Sequence, residues 1–322
     1  MKLSMALFLM FGFANRLQAQ ISAEFETDTL TTATFTAASF ISDNEGWLAD
    51  DAGKLWRTSN GGESWTTGTI NKSFLQLDFA DATNGFGLTS EAAWKTTDGG
   101  STWSALTLPG DVSGSLYFFD ANTGFIGGNE TLYKTTNGGA NWTIITMEGF
   151  SFLNYFFTNS TTGIAAVLDA DSTRSIMRTT IGGSTWTHVY AEEDFFINSV
   201  WLTDENTAWA AGYFASGALG DYPAILRSND GGVTWKSDYI NGATGKRKGE
   251  RFISIRFKNV LEGYALSANT ESVYTTDGGH TWNLIYDESG NCFIPDWGIY
   301  QTLEGISDLY LIGKNGYVTK WE

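Results

Sequence analysis

Residues 135–142 read Thr135-Thr136-Asn137-Gly138-Gly139-Ala140-Asn141-Trp142, and the same pattern recurs at 58–65, 96–103, 179–186, 228–235 and 275–282. Neighbouring copies begin from about 38 to about 49 residues apart, the period of repeat architectures whose unit is a four-stranded blade. Each copy has the chemistry of a tight hairpin. A Thr or Ser opens it, an Asp or Asn offers an oxygen to the turn's N–H groups, two glycines allow positive φ, and a Trp closes it with a large ring to bury. The acceptor slot holds Asn60, Asp98, Asn137, Asp230 and Asp277, with Ile181 in the fourth copy; the closing rings are Trp65, Trp103, Trp142, Trp186, Trp235 and Trp282. Because Asn, and once Ile, stand where Asp stands elsewhere, these carboxylates read as turn structure and not as catalytic groups.

Outward from each hairpin the chain reads as short strands, and the third repeat sets out the order: 115–119, 123–127, 131–135 and 142–146, strands a to d. Strand b gives a second count, because an aromatic or Ile recurs near its start at Trp47, Phe86, Phe125, Ile164, Trp209, Tyr264 and Tyr310. That makes seven repeats. The seventh supplies strand b at 309–312 and strand c at 317–321 but has no hairpin and no strand d, and residues 23–31 are free to complete it. The expected fold is therefore all-β: one seven-bladed β-propeller of four-stranded blades over residues 21–322, its last blade closed by an N-terminal strand. The hairpin resembles the Asp-box, or bacterial neuraminidase repeat, and that resemblance covers nearly the whole chain.

Residues 1–20 read as a secretory signal peptide, with Lys2 as its charged start, an apolar stretch over 3–14 and a short polar end at Leu17-Gln18-Ala19-Gln20. The stretch falls short of the roughly 20 apolar residues of a spanning helix, and no later segment approaches that length. A secreted or periplasmic, monomeric protein is expected. A hydrophobic content of 42% suits a real core, and 37 Gly against 3 Pro suit many tight turns. The single cysteine, Cys292, has no intramolecular partner and reads as a small apolar filler. His188 and His280 lack metal-ligand spacing, so neither a metal nor a cofactor is expected. A net charge of −17 disfavours nucleic acid as a partner.

In this topology the hairpins and the a–b turns share one face, and the b–c and d–a connections share the other. The a–b turns are nearly constant in length, whereas extra residues collect at 169–175, 214–223, 241–251 and 287–297, all on the second face around blades 4 to 7. Binding on repeat scaffolds follows such insertions. Lys246, Arg247 and Arg251 form a local basic cluster suited to an acidic partner. Aligned strands a place Gln76, Ser115, Asn154, Ser199, Ser254 and Tyr300 near the channel mouth, with Asp78, Tyr117, Phe156, Trp201 and Arg256 one step inward. From these the candidate binding residues are Gln76, Asp78, Tyr117, Asn154, Trp201, Arg256, Tyr300, Tyr222, Lys246, Arg247 and Arg251. Tyr213, Tyr222 and Trp297 are the aromatics expected to be exposed near the inserted loops.

Gly-aromatic strands followed by Lys/Arg-Thr-Thr-Asp/Asn-Gly-Gly-x-Thr-Trp most closely resemble the photosystem II stability/assembly factor-like propellers, a family with non-photosynthetic bacterial members. The resemblance implies a non-enzymatic protein that binds other proteins; only that binding-scaffold class carries over. Sialidases share the box but need a cluster of arginines around a substrate carboxylate, and Arg57, Arg178 and Arg227 sit on strand c, away from the channel, with only Arg251 and Arg256 near strand a. Xyloglucan-cleaving glycosidases resemble two tandem propellers around a cleft, and this chain holds one. The expected function is an exported, non-catalytic scaffold that binds a protein partner through the b–c and d–a face. A glycan-binding protein and a glycoside hydrolase using the channel, with carboxylates drawn from Asp78, Asp169, Asp171 and Asp221, stay open as alternatives. The hairpin chemistry makes one prediction. Ile181→Asp restores the missing acceptor and is tolerated or stabilising, by about 0.5–1.5 kcal/mol in thermal or urea unfolding.

Overall fold

The computed structural model describes residues 26–29, 31–112, 115–128, 130–215, 221–238, 251–267, 272–285, 309–312 and 317–321. Six four-stranded antiparallel sheets follow one another in chain order, each with strands a to d as neighbours, and together they build a β-propeller. Blade 1 comprises Phe35–Phe40, Gly46–Asp50, Lys54–Thr58 and Thr66–Thr69. Blade 2 runs from Gln76–Phe79 to Ser104–Ala105 and blade 3 from Leu116–Phe118 to Thr143–Thr146. Blade 4 is Phe150–Phe157, Gly163–Asp169, Arg174–Thr179 and Thr187–Ala191; blade 5 is Phe195–Leu202, Ala208–Phe214, Tyr222–Ser228 and Lys236–Asp238. Blade 6 runs from Phe252–Phe257 to Asn283–Leu284.

Six blades, not the expected seven, are complete among the described residues. A further three-stranded sheet has the order Glu26–Thr29, Tyr317–Trp321, Leu309–Ile312, with Glu26 opposite Lys320 and Thr29 opposite Tyr317. The residues expected to supply its innermost strand, around Tyr300, lie outside the described residues, as do 1–20, Cys292, Lys246, Arg247 and Trp297. Among the described residues no helix is long and apolar enough to cross a membrane.

Contact between blades rests on one repeated stack. The strand-b aromatic of each blade lies on the last apolar residue of the next blade's strand a: Trp47 on Phe79 at 3.8 Å, Phe86 on Phe118 at 3.4 Å, Phe125 on Phe157 at 4.8 Å and Trp209 on Phe257 at 4.5 Å. Ile164 and Leu202 share the corresponding apolar cluster between blades 4 and 5. The closing Trp of the hairpin supports the same ring edge-on, as Trp103 does for Phe79 and Trp282 for Phe257. These buried rings explain why strand b tolerates so little variation at its start.

The same stack dictates a glycine. Each strand-a Phe lies over the first residue of strand b, its antiparallel partner, and a Cβ at Gly85 would come within 2.6 Å of the Phe79 ring. The pairs Phe40–Gly46, Phe118–Gly124, Phe157–Gly163 and Phe257–Gly263 repeat this, whereas blade 5 pairs the smaller Leu202 with Ala208. Ring size on strand a and side-chain size on strand b trade against each other. Gly85→Ala is therefore expected to cost about 1–3 kcal/mol in denaturant unfolding. Phe79→Leu in the same chain recovers part of that loss, so the double variant is more stable than the sum of the singles, a coupling that a double-mutant cycle reads directly.

Candidate functional site

The hairpin face is closed by its own hydrogen bonds. The first glycine of each hairpin donates to a carbonyl of the a–b turn in the same blade: Gly61 to Asn44, Gly99 to Thr83, Gly138 to Asn122, Gly182 to Thr161, Gly231 to Asn206 and Gly278 to Leu261, at 2.6 to 2.9 Å. The two turn types do share one face, as the sequence implies. Within each hairpin the acceptor slot receives a backbone N–H four residues on: Ser64 to Asn60, Thr102 to Asp98, Asn141 to Asn137, Thr234 to Asp230 and Thr281 to Asp277. Ile181 offers no oxygen to Thr185. Hydrogen bonds from the Thr102 hydroxyl and backbone hold the Asp98 carboxyl below its usual range, and those from Thr234 hold Asp230 down at about 2. For Asp277, burial pushes upward but the Thr281 and Thr275 bonds outweigh it. These are turn carboxylates kept ionised by their own loop, not acids poised for proton transfer.

The strand-c cations are committed in the same way. Lys95, Lys134 and Arg178 donate to the hairpin carbonyls of the next blade, at Gly138, Gly182 and Gly231. Arg57 pairs with Glu45 and lies over Trp47, and Arg227 lies over Trp209. Each cation stays at its own blade boundary, so no arginine cluster converges on a common point among them.

The described channel candidates make contacts that join neighbouring blades. The inner edge of strand a has no strand beside it, so its backbone groups need other partners. Gln76 Oε1 accepts from the Leu116 N–H at 2.7 Å, Asp78 Oδ2 from Phe118 at 2.6 Å and Asn154 Oδ1 from Val200 at 3.1 Å. Ser39 and Ser199 serve Phe79 and Ile255 alike. Tyr117 donates to Phe157 O, and Tyr155, fully buried and with its hydroxyl pushed up by that burial, donates to Ser115 O. Trp201 is buried with one face stacked on Phe156 at 4.0 Å and Arg256 over its ring at 5.0 Å. Ser115 and Ser199, expected near an open mouth, are buried. These partners lie about 40 to 57 residues away in the chain, beyond what the sequence alone can pair.

Sequence reasoning also missed a bulge near the outer end of strand a. Register shifts pass over Thr36, Leu153, Asn198 and Ile253. Thr36 Oγ1 and Asn198 Nδ2 use the extra residue to donate to Phe74 O and Phe252 O of the following blade. The signal was present as a recurring large apolar residue, any residue, then a small or polar one.

On the opposite face blades 4 and 5 stand taller than their neighbours. Where these segments lie among the described residues, the ends of 169–175 and 214–223 extend strands b and c to Asp169, Arg174, Phe214 and Tyr222. At this raised end Phe196 and Tyr213 are cross-strand partners with rings stacked at 5.0 Å and 8°. Arg174 lies over the Phe196 ring at 5.8 Å and Arg251 over Tyr213 at 4.5 Å. Arg174 is held by Ile197 O and Asn198 Oδ1, and Arg251 by the Asp221 carboxylate, while half of the Arg251 side chain, 51%, stays open to solvent. Tyr213 and Tyr222, expected to be exposed, are half-buried because they extend strands b and c of this sheet. The result is a cation–ring–ring–cation column across blades 4, 5 and 6. Of the sequence candidates it contains Arg251, and it adds Arg174, Phe196 and Tyr213; Tyr222 lies at the same raised end, while Lys246, Arg247 and Tyr300 lie outside the described residues. Among the described residues no three His, Cys, Asp or Glu side chains come together as a metal site.

No protein-family model matches the chain, and no curated protein matches it. Solved structures do. YCF48 bound to D1 peptide aligns with a TM-score of 0.70 at 19% identity over 92% of this chain and 94% of that one. YCF48 from Cyanidioschyzon merolae gives 0.71 at 18% identity over 94% and 98%. The GH74 xyloglucanase from Xanthomonas campestris gives 0.63 at 12% identity over 92% of this chain but 53% of that one, so the chain spans about half of that enzyme. At these identities the likeness is one of fold.

The turn carboxylates predict an acid limb. Their folded pKa values lie below those of the unfolded chain, so their contribution is complete above about pH 5 and is lost as pH falls through the folded values, about 2 for Asp230. Replacing Asp98, Asp230 and Asp277 by Asn keeps the N–H acceptor, as Asn60 and Asn137 do natively, and should flatten the drop in Tm between about pH 5 and 2 relative to the parent chain.

Proposed function

We propose that this protein is an exported, non-catalytic seven-bladed propeller that binds a protein partner through the face carrying its b–c and d–a connections. The column of Arg174, Phe196, Tyr213 and Arg251 carries this reading: it joins three blades at the part of that face that is raised among the described residues. Two guanidiniums flanking stacked rings offer directional donors and a rigid apolar body, the combination that anchors protein interfaces. The channel supports a ligand less well, because its polar groups serve the adjoining blade. In the same reading the six hairpins are Asp-boxes, and the three-stranded sheet is a seventh blade closed by the N-terminal strand. Export follows from the leader-like residues 1–20. Kinship with the photosystem II assembly factor-like family is supported by full-length similarity to YCF48, one structure of which is bound to D1 peptide. A peptide-binding propeller of that size favours a scaffold over the hydrolase alternative.

A photocrosslinking residue at Tyr213 in the full chain, exposed to envelope or culture fractions, is expected to yield a protein adduct that disappears when Arg174→Ala and Arg251→Ala are added. The same residue at Ser101 on the hairpin face serves as the control. Turnover of a sialoside or β-glucan that is abolished by Asp78→Asn in a still folded protein would overturn the scaffold reading.

A further inference from the structure

Among the described residues the hairpin face carries exposed large apolar side chains in blades 4 to 6 and none in blades 1 to 3. Among the described residues seven large apolar side chains are exposed, and four of them lie on this face in three consecutive blades: Ile181 at 54%, Val233 at 49%, Val260 at 56% and Leu261 at 54%. Internal repetition supplies the control. The slot of Ile181 holds Asn60, Asp98 and Asn137 in the first three blades; that of Val233 holds Glu63, Ser101 and Ala140; those of Val260 and Leu261 hold Asp43, Ala82 and Ala121, and Asn44, Thr83 and Asn122. The turns have the same geometry in both halves, since every first glycine donates to its a–b turn. Folding therefore does not require these apolar residues.

At one position folding is opposed to them. Ile181 gives up the acceptor that five other hairpins use to bind a backbone N–H, and leaves its own side chain in water. A local rule broken with no return inside the fold marks a functional position. The a–b turns and hairpins of the same three blades also carry the carboxylates of Asp204, Glu205, Asp230 and Asp277. The cations of this rim are engaged, Arg178 on Gly231 O and Lys258 with Glu262 at 3.8 Å. Apolar contacts on turns that also bear carboxylates complement one class of partner segment, an amphipathic helix with a basic polar face.

The geometry points to a second docking surface on the hairpin face of blades 4 to 6, built by Ile181, Val233, Val260 and Leu261, that takes a cationic amphipathic helix of a protein partner. It goes beyond the proposed function and occupies the opposite face, so the protein would hold two partners apart, one on each side of the ring.

The test uses the full chain and a variant carrying Ile181→Asn, Val233→Ser, Val260→Ala and Leu261→Thr, residues that blades 1 to 3 already use in those slots. The probe is a Leu/Lys amphipathic helical peptide of about 18 residues, beside a scrambled isomer of equal charge and a Leu/Glu counterpart. The parent chain is expected to bind the Leu/Lys helix, to bind the scrambled peptide more weakly and to ignore the Leu/Glu one. The variant should lose at least about tenfold in affinity while its Tm is unchanged or raised, because Ile181→Asn restores the turn acceptor. Arg174→Ala with Arg251→Ala should leave this binding intact, which separates it from the opposite face. Equal affinity of parent and variant, or of helix and scramble, overturns the proposal. So does concentration-dependent dimerisation of the parent that the variant abolishes, since the occupant would then be a second copy.

Discussion

Strand a of every blade has a sheet neighbour on one side only, and the hydrogen-bonding groups of its other edge depend on the adjoining blade. An unpaired buried N–H costs about as much as a lost hydrogen bond, so this edge cannot simply be left open. The chain answers with side chains: Ser39, Gln76, Asp78, Asn154 and Ser199 each accept an N–H from the next strand a. Between blades 3 and 4 two tyrosines do the equivalent work by donating to carbonyls. Much of what gives the channel its mixed chemistry follows from this demand. A polar, asymmetric ring that resembles a ligand site is to a large extent the means by which neighbouring blades are joined.

Apolar packing at the same boundaries sets the remaining sequence. The strand-b ring, the strand-a ring of the next blade and its hairpin Trp form one cluster, and the glycine that opens strand b leaves room for it. Blade 5 shows that the rule is about volume and not identity, since Leu202 and Ala208 together replace a Phe and a Gly. The cation before each of the first five hairpins joins the same boundary, through a carbonyl of the next blade or through the face of its own strand-b ring. With these groups engaged, surface freedom is left to the connections and to turn positions that the hydrogen bonds do not use.

Those freedoms are used unequally around the ring. On one face the extra residues of blades 4 and 5 lengthen strands and raise the arginine and aromatic column above its surroundings. On the other face, turns of constant geometry exchange polar for apolar side chains in the same half of the molecule. Both departures fall in blades 4 to 6, although one changes length and the other only composition.

The sequence by itself determined the blade repeat, its strand order, the hairpin chemistry and the sorting of turns onto faces. These features rest on bonds between residues two to four apart, such as Thr102 with Asp98, and on a period visible in one dimension. It also led to a seventh four-stranded blade completed by an N-terminal strand; of that expectation the described residues contain the pairing of Glu26–Thr29 with Tyr317–Trp321 in a three-stranded sheet. Only the tertiary structure decided that Gln76, Asp78 and Asn154 fasten blades, that strand a carries a bulge, and that Arg174 meets Phe196 while Arg251 meets Tyr213. Their partners lie 40 or more residues away or on another strand, at distances fixed by the curvature of the ring and the height of each blade. A residue's type limits the bonds it can make, and the choice among them belongs to whichever neighbour the packing of successive blades brings within reach.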